Sequence, residues 1–196
     1  MYPLFLKLED VKCLVVGGGI IAERKTISLI ESGAKVTLIS PDITNKIDKL
    51  INQNIVKYHN RPFKNGDTSG FFIVIAATNL PEVNKIIYDE AILTHTLINC
   101  VDDPENCNFY VPAQVKRGDL QIAVSTSGKL PIFAGRLRKF FDKILPQSIG
   151  EEIERLHQIR TRIISESKDD PILKKKLFQT ELEPEIEIIL NSTGIK

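Results

Sequence analysis

The feature that most constrains this chain is the run Gly17-Gly18-Gly19, which separates an apolar segment from a helical pattern. The preceding segment, residues 12–16 (KCLVV), is short and rich in branched side chains, as is typical of a buried strand. Residues 22–32 have helical spacing of apolar side chains and are followed by Gly33, a predicted helix stop. The sequence therefore predicts a tight strand-turn-helix unit here.

The glycines and the next three residues fit G-x-G-x-x-A, the dinucleotide-binding fingerprint. Gly17 permits the tight turn, and Gly19 lets a pyrophosphate approach the backbone without a Cβ in the way. Ala22 is small enough for the helix to pack close to the sheet. Because free N–H groups and the helix dipole favour an anion at a helix N-terminus, we expect the turn from Gly17 through Gly18 and Gly19 to hold the pyrophosphate.

Strands and helices alternate over the first hundred residues, which predicts a parallel sheet with helical crossovers, a Rossmann-like α/β fold. Residues 71–78 (FFIVIAAT) form a nearly continuous apolar run, as expected of a central parallel strand. Further strands are predicted at residues 35–40, 55–60 and 96–101, and further helices at residues 44–52 and from Pro81.

In such a sheet, ligands bind at the carboxyl ends of the strands. The second strand ends at Ser40 and is followed by Pro41 and Asp42, with no arginine directly after them to meet a 2′-phosphate. We therefore favour NAD over NADP, with Asp42 placed to reach the ribose. Small residues that end the next strand, among them Ala77 and Thr78, leave room for a cofactor to lie across it.

The segment Asn99-Cys100-Val101-Asp102-Asp103 ends the strand at residues 96–101 and brings two carboxylates to the same edge of the sheet. Asn99, near the end of the strand, is predicted to bind the cofactor. A catalytic role for one aspartate is predicted from this position. The alternative is an Asx turn before Pro104, which accounts for one of the two carboxylates without any chemistry.

The pattern changes after residue 101. Two strands around Lys116-Arg117-Gly118-Asp119 indicate an antiparallel hairpin, and Pro131 begins a helix whose broad apolar face includes Phe133, Phe140 and Phe141. The remaining chain is helical and charged. We predict a nucleotide-binding domain over residues 1–112, a dimerisation hairpin and helix over 113–145, and a helical C-terminal domain over 146–196.

Basic side chains cluster in the hairpin and the helix after it, where the acids are only Asp119 and Asp142. The turn STSGK offers hydroxyl groups and a flexible glycine ahead of a helix N-terminus, which suits a ligand with carboxylates or phosphates. A solvated helix face is the alternative, and we favour it for Arg138, Lys139 and Lys143. The predicted ligand-binding residues are Ser125, Thr126, Ser127, Lys129 and Arg136.

Composition restricts the other possibilities. The net charge of +1 does not favour a nucleic-acid or membrane binder, and no apolar run approaches the 18 residues of a membrane span. We expect no secretory leader. The three cysteines, an odd number without metal-site spacing, favour a reducing cytoplasm and no metal site. Cys100 and Cys107 are interpreted as small buried residues.

Several stretches resemble the precorrin-2 dehydrogenases of sirohaem synthesis, which occur alone or as the N-terminal part of sirohaem synthases. The matching segments follow the family order over about the first 145 residues. The form GGGxxAxRK, with Arg24 and Lys25 directly after the fingerprint, and the later AVSTSGxxP are its most specific motifs. The segments are YPLFLKLEDVKCLVVGGGIIAERK, GAKVTLISPD, FFIVIAATN, INCVDDPENCNFYVPA and GDLQIAVSTSGKLPIFAGRLRK.

The resemblance implies NAD-dependent oxidation of precorrin-2 to sirohydrochlorin by a homodimer, and in some relatives insertion of metal. The family's important aspartate corresponds to Asp102. The NAD contacts of the family correspond to the backbone around Gly19, Ile20 and Ile21, and to Pro41 and Asp42. In the substrate turn, Thr126 keeps a hydroxyl where some members have serine. Two other functions remain open from the residues alone: an NAD-sensing regulatory dimer, and another small dehydrogenase of an acidic metabolite.

Overall fold

The computed structural model describes residues 1–193 and contains two compact units, Met1–Val111 and a second unit that begins at Pro112. The hairpin, the helix that follows it and the described C-terminal helices all lie in the second unit. A separate domain over residues 146–196 stays a prediction.

The first unit is built on a five-stranded sheet in the order β3-β2-β1-β4-β5, with every neighbouring pair parallel. From β1 the chain adds β2 and β3 on one side of the sheet, and it then crosses back to add β4 and β5 on the other side. The direction of the connections therefore reverses between β1 and β4. This is the Rossmann-like arrangement that the sequence predicts. The strands are β1 (Lys12–Val16), β2 (Lys35–Ile39), β3 (Val56–His59), β4 (Ile73–Ala76) and β5 (Leu97–Cys100).

Three helices cover the two faces of this sheet: α1 (Ile20–Glu31), α2 (Asn45–Asn52) and α3 (Pro81–Leu93). Side chains of α1 and α2 pack in one buried cluster with alternate strand residues, and side chains of α3 pack in another with the intervening ones. Because β1 and β4 are covered on both faces, nearly every side chain in them is buried, which explains their continuous apolar sequence.

The ends of these helices follow their capping residues. Gly33 adopts a φ of +85° just after α1 and donates its N–H to the Ile30 carbonyl, as the predicted stop requires. Thr44 caps α2 by accepting a hydrogen bond from the Ile47 N–H. Helix α1 begins at Ile20, two residues before the predicted start, because the turn leads directly from Gly19 into helical backbone.

The free edge of β5 is covered by the chain that follows it. Cys107 forms an isolated antiparallel bridge with Asn99. Asn108 donates its N–H to the Ile98 carbonyl at 3.0 Å, and its side-chain oxygen accepts from the Ile98 N–H at 2.8 Å. This segment satisfies backbone groups that an open edge leaves exposed, and it fixes the loop that carries Asp102 at both ends.

The second unit contains an antiparallel hairpin and four helices. Strands β6 (Ala113–Arg117) and β7 (Leu120–Val124) flank a two-residue turn, and α4 (Pro131–Ile144) packs on them. Arg117, predicted from sequence to belong to a ligand-facing basic stretch, is buried instead. Its guanidinium donates to the Asp142 carboxylate at 2.8 Å and to the Leu145 carbonyl at 3.4 Å, so it joins the hairpin to α4.

The C-terminal helices are α5 (Ile149–Glu166), α6 (Pro171–Leu177) and α7 (Glu183–Thr193), with a π-helical segment, Phe178–Leu182, joining the last two. The wider turn lies just before Pro184, whose ring clashes with the carbonyl four residues earlier in a regular α-helix. Arg155 of α5 forms an ion pair with Glu152 on the same helix and another with Glu185, which links α5 to α7. Within residues 1–193, no helix has the length and apolar character needed to cross a membrane.

Candidate cofactor and catalytic site

The predicted cofactor residues meet at the carboxyl edge of the sheet, where the connections reverse direction between β1 and β4. Gly17 donates its N–H to Ile39 of β2, and Ala77 donates its N–H to Val16 of β1. The Thr44 N–H donates to the Gly18 carbonyl at 3.1 Å. The loops after β1, β2 and β4 are therefore held side by side, as a dinucleotide site at a topological switch point requires.

Two of the glycines allow close packing of the protein's own backbone. Gly17 has a φ of +113°, and a Cβ on it would lie 2.3 Å from the Ala77 carbonyl oxygen. A Cβ on Gly18 would lie 1.9 Å from the Asp42 carbonyl oxygen. Neither position tolerates a side chain, so these glycines bring the loops after β4 and β2 against the turn.

Gly19 differs, because a Cβ on it would meet no protein atom within 4 Å. It is the N-cap residue of α1 and supplies no side-chain cap, so the first N–H groups of the helix lie beside open space. A bare backbone, a helix N-terminus and an open approach are what a dinucleotide pyrophosphate needs. The residues of the turn therefore fit the cofactor that the sequence predicts.

The end of β2 is rigid and carries an exposed carboxylate. Ser40 donates its hydroxyl to the Asp42 carbonyl at 2.6 Å, and Tyr58 donates to the Ser40 carbonyl at 2.9 Å. Burial, followed by the charge of Asp42, raises the pKa of Tyr58, so the phenol stays protonated and keeps donating. Pro41 and Asp42 are both exposed, and the Asp42 carboxylate is available to accept from ribose hydroxyls.

A polar contact that the sequence did not reveal fastens α1 to the loop after β2. Thr44 donates its hydroxyl to the Glu23 carboxylate at 2.6 Å, and Lys46 lies 3.3 Å from the other carboxylate oxygen. The Thr44 hydrogen bond is the main cause that lowers the pKa of Glu23, and Lys46 adds to it. This contact fixes the first turn of α1 relative to the loop after β2 that carries Asp42.

The predicted residues after β4 mainly hold their own loop. The Thr78 hydroxyl donates to the Asn84 side-chain oxygen at 2.7 Å, and the Asn84 amide donates back to the Thr78 carbonyl at 3.1 Å. The Ala77 carbonyl lies against Gly17. A cofactor contact by Ala77 or Thr78 stays a prediction.

Asn99, predicted to bind cofactor, is buried, and its amide donates to the Phe109 carbonyl at 3.1 Å. Its side chain is thus committed to the segment that covers β5. A cofactor contact by Asn99 stays a prediction.

The two neighbouring aspartates have different surroundings. Asp102 is exposed and adopts a left-handed backbone with a φ of +60°, a conformation uncommon for non-glycine residues. Asp103 accepts a hydrogen bond from the Asn106 side-chain amide at 2.6 Å. The Asp103 carboxylate therefore stabilises the turn, through the side-chain amide of Asn106 rather than through a backbone N–H. The Asp102 carboxylate is exposed and available to a ligand.

The Cys107 thiol fixes the backbone on both sides of Asp102. Its sulfur accepts from the Cys100 N–H at 3.2 Å and lies 3.2 Å from the carbonyl oxygens of Cys100 and Asp103. Burial raises the pKa of Cys107, and that of Cys100 to about 12, so both remain neutral thiols. No group of three metal-ligating side chains is found among residues 1–193, where the three cysteines are free.

Lys25 is a further polar residue near Asp102 to which the sequence assigned no role. It is half-buried on α1, and burial, together with the charge of Arg24, lowers its pKa. The charge of Asp102 acts on the pKa of Lys25 in the opposite direction. Its motif position, directly after the fingerprint, was the available signal.

In the second unit, the turn before α4 is held by its own hydroxyls. Ser125 accepts from the Ser127 N–H at 3.1 Å, and Thr126 accepts from the Leu130 N–H at 3.1 Å. Ser127 and Gly128 have φ values of +55° and +77°. Glycine adopts this left-handed backbone without a steric clash of a side chain, which accounts for Gly128 in the turn. Lys129 and Arg136 are exposed.

Comparisons with known proteins agree with this arrangement. A family model described as NAD(P)-binding matches residues 4–113, and one described as sirohaem biosynthesis protein central matches residues 117–143. The solved structure of "SirC, precorrin-2 dehydrogenase" superposes with a TM-score of 0.73 and 25% identity, covering 91% of this chain and 98% of that one.

Among curated relatives, the siroheme synthase of Acinetobacter baylyi is 34% identical over 190 residues, which are 95% of this chain and 42% of that protein. The chain thus spans about two fifths of that relative's length. The precorrin-2 dehydrogenase of Bacillus subtilis is 38% identical over 162 residues, which are 83% of this chain and 99% of that protein. Because a precorrin-2 dehydrogenase is 38% identical over nearly its whole length, the chain belongs to the precorrin-2 dehydrogenase family.

Proposed function

We propose that this protein oxidises precorrin-2 to sirohydrochlorin with NAD as the hydride acceptor. The observation that carries the proposal is the 38% identity that spans 99% of the Bacillus subtilis precorrin-2 dehydrogenase. The open turn at Gly19 and the exposed Asp102 supply the two parts that such a reaction needs, a cofactor cradle and a proton acceptor. Free thiols at all three cysteines support a cytoplasmic location.

The cofactor choice rests on the end of β2. The exposed Asp42 carboxylate is suited to accept hydrogen bonds from ribose hydroxyls, and it repels the 2′-phosphate of NADP. Gly17 and Gly18 shape the turn, because the Gly17 N–H donates to Ile39 and both glycines pack against neighbouring loops, while the backbone of Gly19, Ile20 and Ile21 is assigned to the pyrophosphate and Pro41 to the ribose. When bound, NAD accepts a hydride from the substrate, while the protein supplies orientation and charge.

Asp102 is the residue we assign to the proton. Loss of a hydride leaves a cationic intermediate, and a proton must then depart to complete the new double bond. An exposed carboxylate on a fixed loop can stabilise that positive charge and accept the proton. The left-handed backbone and the Cys107 thiol hold Asp102 in place, so it need not be reorganised during the reaction.

We propose that the turn before α4 binds the carboxylates of the substrate. Hydroxyls at Ser125, Thr126 and Ser127 and the free ammonium and guanidinium of Lys129 and Arg136 suit such a ligand. All but Thr126 are exposed, and Thr126 is half-buried. The Ser125 and Thr126 hydroxyls accept backbone hydrogen bonds and retain their own protons for donation.

We also propose a homodimer formed through the hairpin and α4. Ile132 is 73% exposed, Phe133 50% and Phe140 55%, which is a large apolar area for one helix of a single copy. Phe141 differs from the sequence-based expectation, because it packs against the hairpin cluster with Val115 and Leu145. The proposed contact therefore centres on Phe133 and Phe140.

The variant Asp102→Asn tests the catalytic assignment. Asparagine is nearly isosteric, so NAD affinity and folding should be retained, while the proton acceptor is lost. General-base catalysis contributes about 10²–10⁴-fold, so the rate of precorrin-2 oxidation should decrease by at least about 10²-fold. The matched control is Asp103→Asn, whose carboxylate bonds only Asn106 and whose loss should have a small effect. Oxidation by Asp102→Asn at the parent rate would contradict the assignment.

A further inference from the structure

Lys25 lies on the flank of α1 that faces the sheet. Ala22 and Leu29, three residues before it and four after it, are both buried, and they share a cluster with the partly buried Val101 and Phe109. Because these positions fall on one side of a helix, the half-buried Lys25 lies beside the buried surface of α1.

The Lys25 ammonium has no carboxylate within ion-pair distance and no hydrogen-bond acceptor anywhere in residues 1–193. Arg61, the other half-buried lysine or arginine among residues 1–111, is paired and bonds both oxygens of Asp67 at 2.6 and 2.8 Å. Burial and the neighbouring Arg24 both disfavour the charge of Lys25, which lowers its pKa. A half-buried cation without a partner is costly, and an anionic ligand removes that cost.

The neighbours of Lys25 determine where such an anion would lie. Val101, directly before Asp102, packs against the cluster that contains Ala22 and Leu29 of α1, and the charge of Asp102 favours the Lys25 ammonium. A ligand carboxylate held by Lys25 would therefore lie near the proposed proton acceptor. The cation also offsets the repulsion between that carboxylate and Asp102. We propose that Lys25 binds a carboxylate of the tetrapyrrole substrate and so positions the reacting carbon beside Asp102, an inference that rests on the proposed function.

The test compares Lys25→Met, Lys25→Arg and the control Lys35→Met in the full chain. Lys35 is exposed at the start of β2, at the opposite end of the strands, where it pairs with Asp10 at 2.8 Å. Binding of sirohydrochlorin, the product, is titrated by its absorption, and NAD binding is measured by calorimetry. Loss of one charge-assisted hydrogen bond predicts about tenfold or greater weakening of sirohydrochlorin binding by Lys25→Met. Lys25→Arg should retain most of the affinity, and Lys35→Met all of it.

NAD affinity should stay at the parent value in all three variants, which separates a substrate carboxylate from a cofactor phosphate as the ligand. Turnover should show a raised KM for precorrin-2 with a smaller change in kcat. If Lys25→Met fails to fold, Lys25→Gln takes its place. Parental sirohydrochlorin affinity in the neutral variant, or a parallel loss of NAD affinity, overturns the inference.

The proposed function fails separately. A parent protein that binds sirohydrochlorin through Lys25 without oxidising precorrin-2 contradicts the dehydrogenase and supports the anchor. A parent that oxidises precorrin-2 while its Lys25→Met variant binds and reacts equally well supports the dehydrogenase and contradicts the anchor. A parent that oxidises precorrin-2 but binds no sirohydrochlorin supports the dehydrogenase and contradicts the anchor.

Discussion

At the scale of single residues, the three glycines of the turn have separate physical roles. Gly17 and Gly18 are required by the protein's own backbone, since a Cβ on either would overlap a carbonyl oxygen of a neighbouring loop. Gly19 is in contact with nothing in residues 1–193 that would exclude a side chain, because the space beside it is open. The open space beside Gly19, at the N-terminus of α1, is where the proposed pyrophosphate would lie.

This contrast predicts two different results from two adjacent substitutions. Gly19→Asp places an anion where the pyrophosphate should lie, so NAD affinity should fall at least about tenfold, with the thermal unfolding midpoint unchanged. Gly18→Ala forces the Asp42 loop to move and should lower the free energy of unfolding by about 1–3 kcal/mol. Calorimetric titration and thermal unfolding check both. Undiminished NAD binding by Gly19→Asp would show that the turn holds no pyrophosphate.

Residue-level prediction from sequence succeeded where the backbone decides the role and stopped where tertiary contacts decide it. Gly17 and Gly33 adopt the positive φ values that their turns require. Lys25 was noticed only as part of a motif, because its burial and its proximity to Asp102 arise from packing that no local pattern encodes. Arg117 was grouped with free basic residues, since the sequence does not show that Asp142 and Leu145 receive its hydrogen bonds.

At the scale of elements, periodicity predicted the strands and helices to within a few residues at their ends. Strand β4 is shorter than its apolar run at residues 71–78, although Phe72 and Ala77 on either side of it still donate their N–H groups to the carbonyls of Lys12 and Val16. The covering of β5 by residues 107–109 was not predictable, since it depends on Asn108 and Cys107 reaching back across the sheet edge. That covering is what fixes the Asp102 loop.

The loop therefore predicts an effect of Cys107 on catalysis. Cys107→Ala removes the thiol contacts to Cys100 and Asp103, so Asp102 should lose its fixed position and kcat should fall about 10- to 100-fold. NAD affinity should stay at the parent value. The control Cys13→Ala removes a fully buried thiol from β1 and should lower the unfolding midpoint without an equal loss of kcat. A parental kcat for Cys107→Ala would show that the thiol does not position Asp102.

At the scale of the whole molecule, the chain combines two units. The first is a five-stranded nucleotide-binding unit, and the second contains a hairpin and helices that share a separate hydrophobic core. The class of the first unit followed from alternation of strands and helices, and the hairpin followed from a change in that pattern. The π-helical segment before Pro184 was not predicted, because single-turn departures within a helix leave no periodic signal.

The exposed apolar side of α4 predicts the oligomeric state. Light scattering at micromolar concentration should give the mass of a dimer, and the double substitution Phe133→Glu with Phe140→Glu should give a monomer, because it places charges in an apolar contact. Ile172→Glu is the matched control, since Ile172 is 83% exposed on α6. A parent protein that scatters as a monomer would contradict the proposed dimer.

The most direct test of the central claim is anaerobic incubation of the full chain with precorrin-2 and NAD. The spectrum should change to that of sirohydrochlorin as conjugation extends, with NADH formed in equimolar amount, and NADP should support the reaction poorly because of Asp42. An NAD-binding sensor would bind the cofactor without this spectral change. Absence of sirohydrochlorin and NADH, in a preparation shown by calorimetry to bind NAD, would contradict the assignment of this chain as a precorrin-2 dehydrogenase.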